Sequence, residues 1–269
     1  MKKLIKIMVP VLAIMTGVTS CDKLPTTTTP TTTTPTTTTP TSPTPVTPSP
    51  SGSYWGVLAA VQMEFAYSNP QIPIPISIKS DVASASFFDG AGSSNLTGAG
   101  TVSINSNDLK NNNNSYSLTA SDGMTPSTLN LTGSSIDWSV GGSGNVAAFT
   151  YSHTGSMPNY SGTSSLPTAI DRTKDLDITL GNKVTNADSV YVLIITPNSS
   201  TPLMKAYSAK PSAPAKATFT ASELGSLSSV ADNGAYVEVV AFRYAVPNIN
   251  SRQYVFVKEF AAVTTATIN

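Results

Sequence analysis

Cysteine occurs once in these 269 residues, at Cys21, and histidine once, at His153. A lone cysteine excludes an internal disulfide, and together the two counts exclude the Cys/His groupings of a zinc site. No basic cluster is present to neutralise phosphates, which argues against nucleic acid as a partner. Charged residues of either sign make up only 11% of the chain, so solubility rests on Ser, Thr, Asn and Gly. Helical periodicity is missing from most of the chain past residue 53. Gly141-Gly142-Ser143-Gly144 lacks the spacing of a Gly-x-Ser-x-Gly nucleophile elbow, and no Asp-x-Asp-x-Asp-Gly calcium loop occurs. Nothing in the pattern requires a cofactor or a metal.

What is present begins at the amino terminus. Lys2, Lys3 and Lys6 precede an apolar run from Ile7 to Val18, broken by Pro10 and the Thr16-Gly17 pair. The run is shorter than the roughly 20 residues needed to cross a bilayer, so residues 1–20 read as an export signal. Its end, Val18-Thr19-Ser20-Cys21, resembles the lipobox of bacterial lipoproteins. The resemblance implies cleavage before Cys21 and diacylation of its sulfur, making Cys21 the lipid attachment site and a membrane the first partner. It also implies a cell-envelope address, at the outer membrane in preference to the inner. Asp22 leaves the leaflet open, because an aspartate there retains some lipoproteins at the inner membrane and favours display of others. Losing Lys2, Lys3 and Lys6 takes the 15 basic residues to 12, against 15 acidic ones, a mildly acidic product.

Residues 21–52 are expected to form a disordered tether. Thr26–Pro30, Thr31–Pro35 and Thr36–Pro40 repeat one pentapeptide, and Ser-Pro and Thr-Pro pairs continue to Pro50. The tract has too few apolar side chains to offset the entropy of ordering. Its prolines favour an extended form, in which ~28 residues would reach on the order of 80–90 Å. Two readings stand, a passive linker and an O-glycosylated stalk.

From Ser53 the period changes to two. Trp55, Val57, Ala59, Val61, Met63, Phe65 and Tyr67 alternate with polar positions such as Gln62 and Glu64, which predicts a strand with the first set inward. Ile72 to Ile78 alternates as well, and Pro73 and Pro75 mark it as an edge. Further strands are expected at 82–88, 101–105, 115–119, 129–131, 136–140 and 147–151. A boundary rich in Pro and Ser follows at 157–167, where charge also shifts. Residues 22–166 carry 3 basic and 7 acidic side chains, and residues 167–269 carry 9 and 8. Beyond it, strands are expected at 176–180, 190–196, 204–208, 217–219, 236–245 and 254–263. Thr220 to Glu223 has capping-box spacing, with Phe219 and Leu224 as a hydrophobic staple, and predicts a short helix ending before Asp232-Asn233-Gly234. The fold class is therefore all-β, with two antiparallel β-sandwich domains at 53–162 and 167–269, the second immunoglobulin- or fibronectin-III-like.

Candidate chemistry is sparse. A Ser–His–Asp triad would have to use His153, which ends a strand and reads as an exposed or satisfied loop residue. Asp175 and Asp177 share one face of a strand, the nearest carboxylate pair for a glycosidase, and read more simply as its solvated side. Trp55 and Trp138 alternate with core positions. Tyr54, Tyr160 and Tyr207 lie near turns and are the tentative ligand-binding residues, as stacking platforms for a sugar. Asp188-Ser189-Val190 resembles a short bacterial O-glycosylation acceptor motif and equally suits a strand start. The order of lipobox, tether and sandwich resembles surface lipoproteins of Gram-negative bacteria, including the glycan-binding partners of Sus-type uptake systems. It implies a non-catalytic anchored protein with glycan or surface-protein partners. A carboxylate-dependent hydrolase of an envelope or nutrient polymer, and a purely structural envelope component, are the alternatives.

Overall fold

The computed structural model describes residues 53–69, 72–118, 129–197 and 201–269. Cys21, the export signal and the Thr/Pro tract lie outside them. Nine strands occupy the first half: β1 (Gly56–Asn69), β2 (Ile72–Phe87), β3 (Val102–Ile104), β4 (Asn107–Asp108), β5 (Lys110–Asn112), β6 (Ser115–Leu118), β7 (Ser135–Val140), β8 (Phe149–Thr154) and β9 (Asn159–Tyr160). The next five are β10 (Ala169–Ile170), β11 (Leu176–Thr179), β12 (Val184–Thr185), β13 (Ser189–Ile195) and β14 (Leu203–Ser208). After β15 (Lys216–Phe219) and one helical turn, α1 (Ala221–Leu224), come β16 (Val230–Ala245), β17 (Asn248–Ile249) and β18 (Arg252–Ile268). The chain is all-β, with antiparallel sheets in sandwich layers, as its periodicity predicts.

Asparagine sets several of the turns. Ile104 pairs with Asn107, Asn112 with Ser115, and Ile249 with Arg252, so each hairpin closes on two residues. Those residues are Asn105-Ser106, Asn113-Asn114 and Asn250-Ser251, and all six have positive φ. Two positive φ angles match the right-handed twist of the flanking strands, and asparagine tolerates that region at lower cost than most residues.

The main sheet runs β14-β13-β16-β18-β1-β2-β6-β5. β1 enters its centre, pairing antiparallel with β2 and parallel with β18 from Gly56↔Tyr254 to Ala66↔Thr264. An interior strand is covered on both faces, which corrects the expected one-sided burial of β1. Leu58 and Ala60, from the set expected outward, are fully buried in a core. The Pro73/Pro75 stretch does lie at an edge, because β6 meets β2 only at residues 83–86. Leu129-Asn130-Leu131 is not a strand. Its two leucines are buried while Asn105 holds the backbone, donating from Nδ2 to the Leu129 carbonyl at 2.8 Å. Asp232-Asn233-Gly234 forms an irregularity inside β16, where pairing with β18 breaks between Val230 and Ala235. α1 carries the expected capping box, Thr220 with Glu223, and Phe219 and Leu224 are both fully buried beside it.

One face of the main sheet supports two cores. The first gathers Leu58, Ala85, Phe87, Tyr254 and Phe256 against the four-stranded sheet β4-β3-β7-β8, with Ile104, Trp138 and Phe149. The second gathers Val192, Val239, Phe260 and Ala262 against β11, β15, β9, β12 and α1, with Tyr160, Ile178, Phe219 and Leu224. Most residues of the first core come from 53–162 and most of the second from 167–269, but each core also takes residues from the other stretch, and one sheet runs through both. β18 belongs to both, giving Tyr254 and Phe256 to one and Phe260, Ala262 and Ile268 to the other. Phe256 packs on Tyr151 at 4.1 Å between ring centroids and also meets Trp138 and Phe149. Truncation of such a ring to alanine costs about 3–5 kcal/mol.

Candidate functional site

The residues nominated from the sequence do not converge. Tyr160 is 1% exposed and Tyr207 6%, both within the second core. The Tyr160 hydroxyl donates to the Thr179 carbonyl at 3.0 Å, and burial pushes its pKa up to about 12. Neither ring offers a face to a sugar, which corrects the expectation for both; each sits on an inward position of a core strand. Tyr54 is half-buried, and its hydroxyl is buried without a hydrogen-bond partner.

The carboxylate pair is structural. Asp177 accepts from Lys216 Nζ and Thr218 Oγ1, each at 2.6 Å, and these bonds hold its carboxyl below the usual range. Asp175 Oδ1 accepts the Ala221 backbone N–H at 2.7 Å, serving the start of α1. Ser189 opens β13 and is 3% exposed, so the folded protein does not present it to a glycosyltransferase. Trp138 is core, as expected. Trp55 packs partly against the first core, with the Arg252 guanidinium 3.9 Å above its ring.

His153 is not an exposed loop residue. It is 4% exposed on β8, and burial, with the Lys258 and Arg243 charges nearby, lowers its pKa to about 4. A neutral imidazole results across the ordinary pH range, and burial is the main cause.

Comparison with family models, with curated proteins and with solved structures finds no match to this chain.

The site therefore rests on geometry. The face of the main sheet away from the two cores is apolar, with Ala59, Val61, Val240, Phe242, Ala261 and Val263 buried yet belonging to neither core. Pairing fixes this set, because alternate residues of adjacent strands share a face. Into it fall two acids. Glu238 stands opposite Leu193 and Val263, and Glu259 opposite Val61 and Phe242. Glu238 is 0% exposed and Glu259 1%, and neither appears in an ion pair among the described residues. Both oxygens of Glu238 and one of Glu259 are buried without a hydrogen-bond partner. Burial raises the Glu238 pKa to about 8. Glu259 is raised too, by burial first and then by Glu238. Thr265 adds another unpartnered hydroxyl on this face, opposite Tyr236. Unpaired buried acids cost several kcal/mol of desolvation or stay protonated. The sequence did carry a signal: Glu238 and Glu259 interrupt apolar runs at mid-strand, where a solvated strand would alternate.

A shallow cleft of about 720 Å³ lies elsewhere, lined by Asn182, Asn186, Lys210, Ser212 and neighbouring small residues. Its Lys210 is spent on Asp188, at 2.6 Å.

Proposed function

We propose that the chain is a lipid-anchored, non-catalytic envelope protein that binds a surface-protein or glycan partner. The observation that carries this reading is that the groups a catalytic site would use are committed to the fold: His153 is buried, Asp175 holds the start of α1, and Asp177 is bound to Lys216 and Thr218. Protein is favoured over glycan because Tyr160 and Tyr207 are committed to the second core. The anchor is Cys21, in the outer membrane, and the Thr/Pro tract is the leash on which the sheets are carried. The hydrolase alternative has one observation in its favour, the raised pKa of both Glu238 and Glu259 on one sheet face.

Pull-down from intact cells with the full chain and a glycan array are the two probes. A surface protein is expected to be retained saturably and no glycan to bind. Binding of a glycan in its place would overturn the preference for protein, and hydrolysis of an envelope polymer by the full chain would overturn the assignment. Cys21→Ser is expected to move the protein from the membrane fraction to the soluble one.

A further inference from the structure

The two cores meet at a seam, and the seam is positively charged. Lys258 lies on β18 between Phe256 of the first core and Phe260 of the second, on the same face, and is 0% exposed. Arg243 is its direct partner across the β16–β18 ladder. From the opposing layer come His153 and, just past the end of β8, Gly155. The Lys258 ammonium donates to the Gly155 carbonyl. The Arg243 guanidinium lies against the same residue, with Nη1 2.8 Å from where a Cβ on Gly155 would sit. The carboxylate that faces this seam, Asp188, is already neutralised by Lys210 at 2.6 Å and accepts the Tyr244 backbone N–H at 3.2 Å.

Among the described residues, charge at the seam therefore does not balance. Lys258 and Arg243 remain after Asp188 and Lys210 cancel, and the buried imidazole beside them is neutral. Buried charges are ordinarily paired, and one carbonyl does not neutralise an ammonium. The missing partner is an anion. Arg243 is half-buried, with its guanidinium against Gly155, and a guanidinium suits a planar or tetrahedral oxyanion in bidentate fashion.

We propose that the seam is an oxyanion-binding site, in which Arg243 supplies the fork and Lys258 the supporting charge for a carboxylate or sulfate group. The group arrives either as a free inorganic ion or on an acidic sugar. The site is separate from the Glu238–Glu259 face and does not depend on it.

The test is thermal unfolding of the full chain in detergent, titrated with sodium sulfate or sodium glucuronate, with sodium chloride holding ionic strength constant. A saturable rise of several degrees in Tm is expected with at least one oxyanion, and its loss in Arg243→Gln. Response to sulfate alone assigns a free ion, and response to glucuronate assigns an acidic sugar. Should Arg243→Gln not fold, the His153 ring resonances of the unaltered protein provide the second readout, with a saturable shift expected under the same titration. No saturable effect from either oxyanion, or an undiminished one in Arg243→Gln, overturns the proposal.

Discussion

Lys258, at the middle of the last strand, donates its ammonium proton to the carbonyl of Gly155 in the layer above. That bond ties the shared sheet to the end of β8, and Gly155 is the residue both seam cations touch. Its φ of +88° lies where side chains are strained, and Arg243 fills the space a methyl group would take. Gly155→Ala is expected to destabilise the fold by about 2 kcal/mol, read as a lower urea midpoint. An unchanged midpoint would mean the contact has no energetic weight.

Glu238 makes stability depend on pH in an unusual direction for a carboxyl. Its folded pKa of about 8 exceeds the ordinary 4.5, so the folded state holds the proton longer than the unfolded one. Its contribution is complete below pH 4.5 and is lost as pH rises toward 8. His153 titrates from 6.5 down to about 4 and Lys258 from 10.5 down to about 8, so neither intrudes between pH 6.5 and 8. In that window the urea midpoint should fall with pH, and Glu238→Gln should flatten the slope. Glu259 is raised as well, so a residual slope in the single variant should vanish in the double one.

His153 works with the opposite sign. Its imidazole is neutral in the fold to about pH 4 but charges at 6.5 when unfolded, so stability is lost as pH falls through that range. A proton NMR titration of this single histidine should show no inflection above pH 5. An inflection near 6.5 would place the ring in solvent.

Two asparagines with the same backbone geometry should respond differently to glycine. Asn105 and Asn113 both open two-residue turns at positive φ. Asn105 also donates to the Leu129 carbonyl at 2.8 Å and accepts the Asp137 N–H at 2.9 Å, pinning a strandless segment to the first core. Asn113→Gly is expected to shift stability by less than about 0.5 kcal/mol, since glycine accepts that conformation. Asn105→Gly keeps the turn but removes both bonds, and should cost about 1–3 kcal/mol in chemical denaturation.

Local features were legible without coordinates. The strand periods at Ile136–Val140, Val190–Ile195 and Tyr236–Ala245 appear as strands, and the capping box at Thr220–Glu223 forms as its spacing requires. These depend on neighbours a few residues apart, so a linear reading captures them. The facing of β1 was misread because its alternation is real but both of its faces are buried. Tyr160 and Tyr207 were misread for a related reason: nearness to a turn in sequence does not imply exposure once another strand lies across it.

What residue order determined here is the period of each strand, the asparagine turns, the one-turn helix and a composition with one cysteine and one histidine. These are properties of short segments and of composition. Tertiary structure decided the rest: that β1 and β18, nearly two hundred residues apart, lie parallel and join two cores on one sheet. It also decided that Lys258, Arg243 and His153 meet at their seam, while Glu238 and Glu259 share the other face. Strand register between distant segments follows from the packing of whole layers, and that information does not reside in any single stretch of the chain.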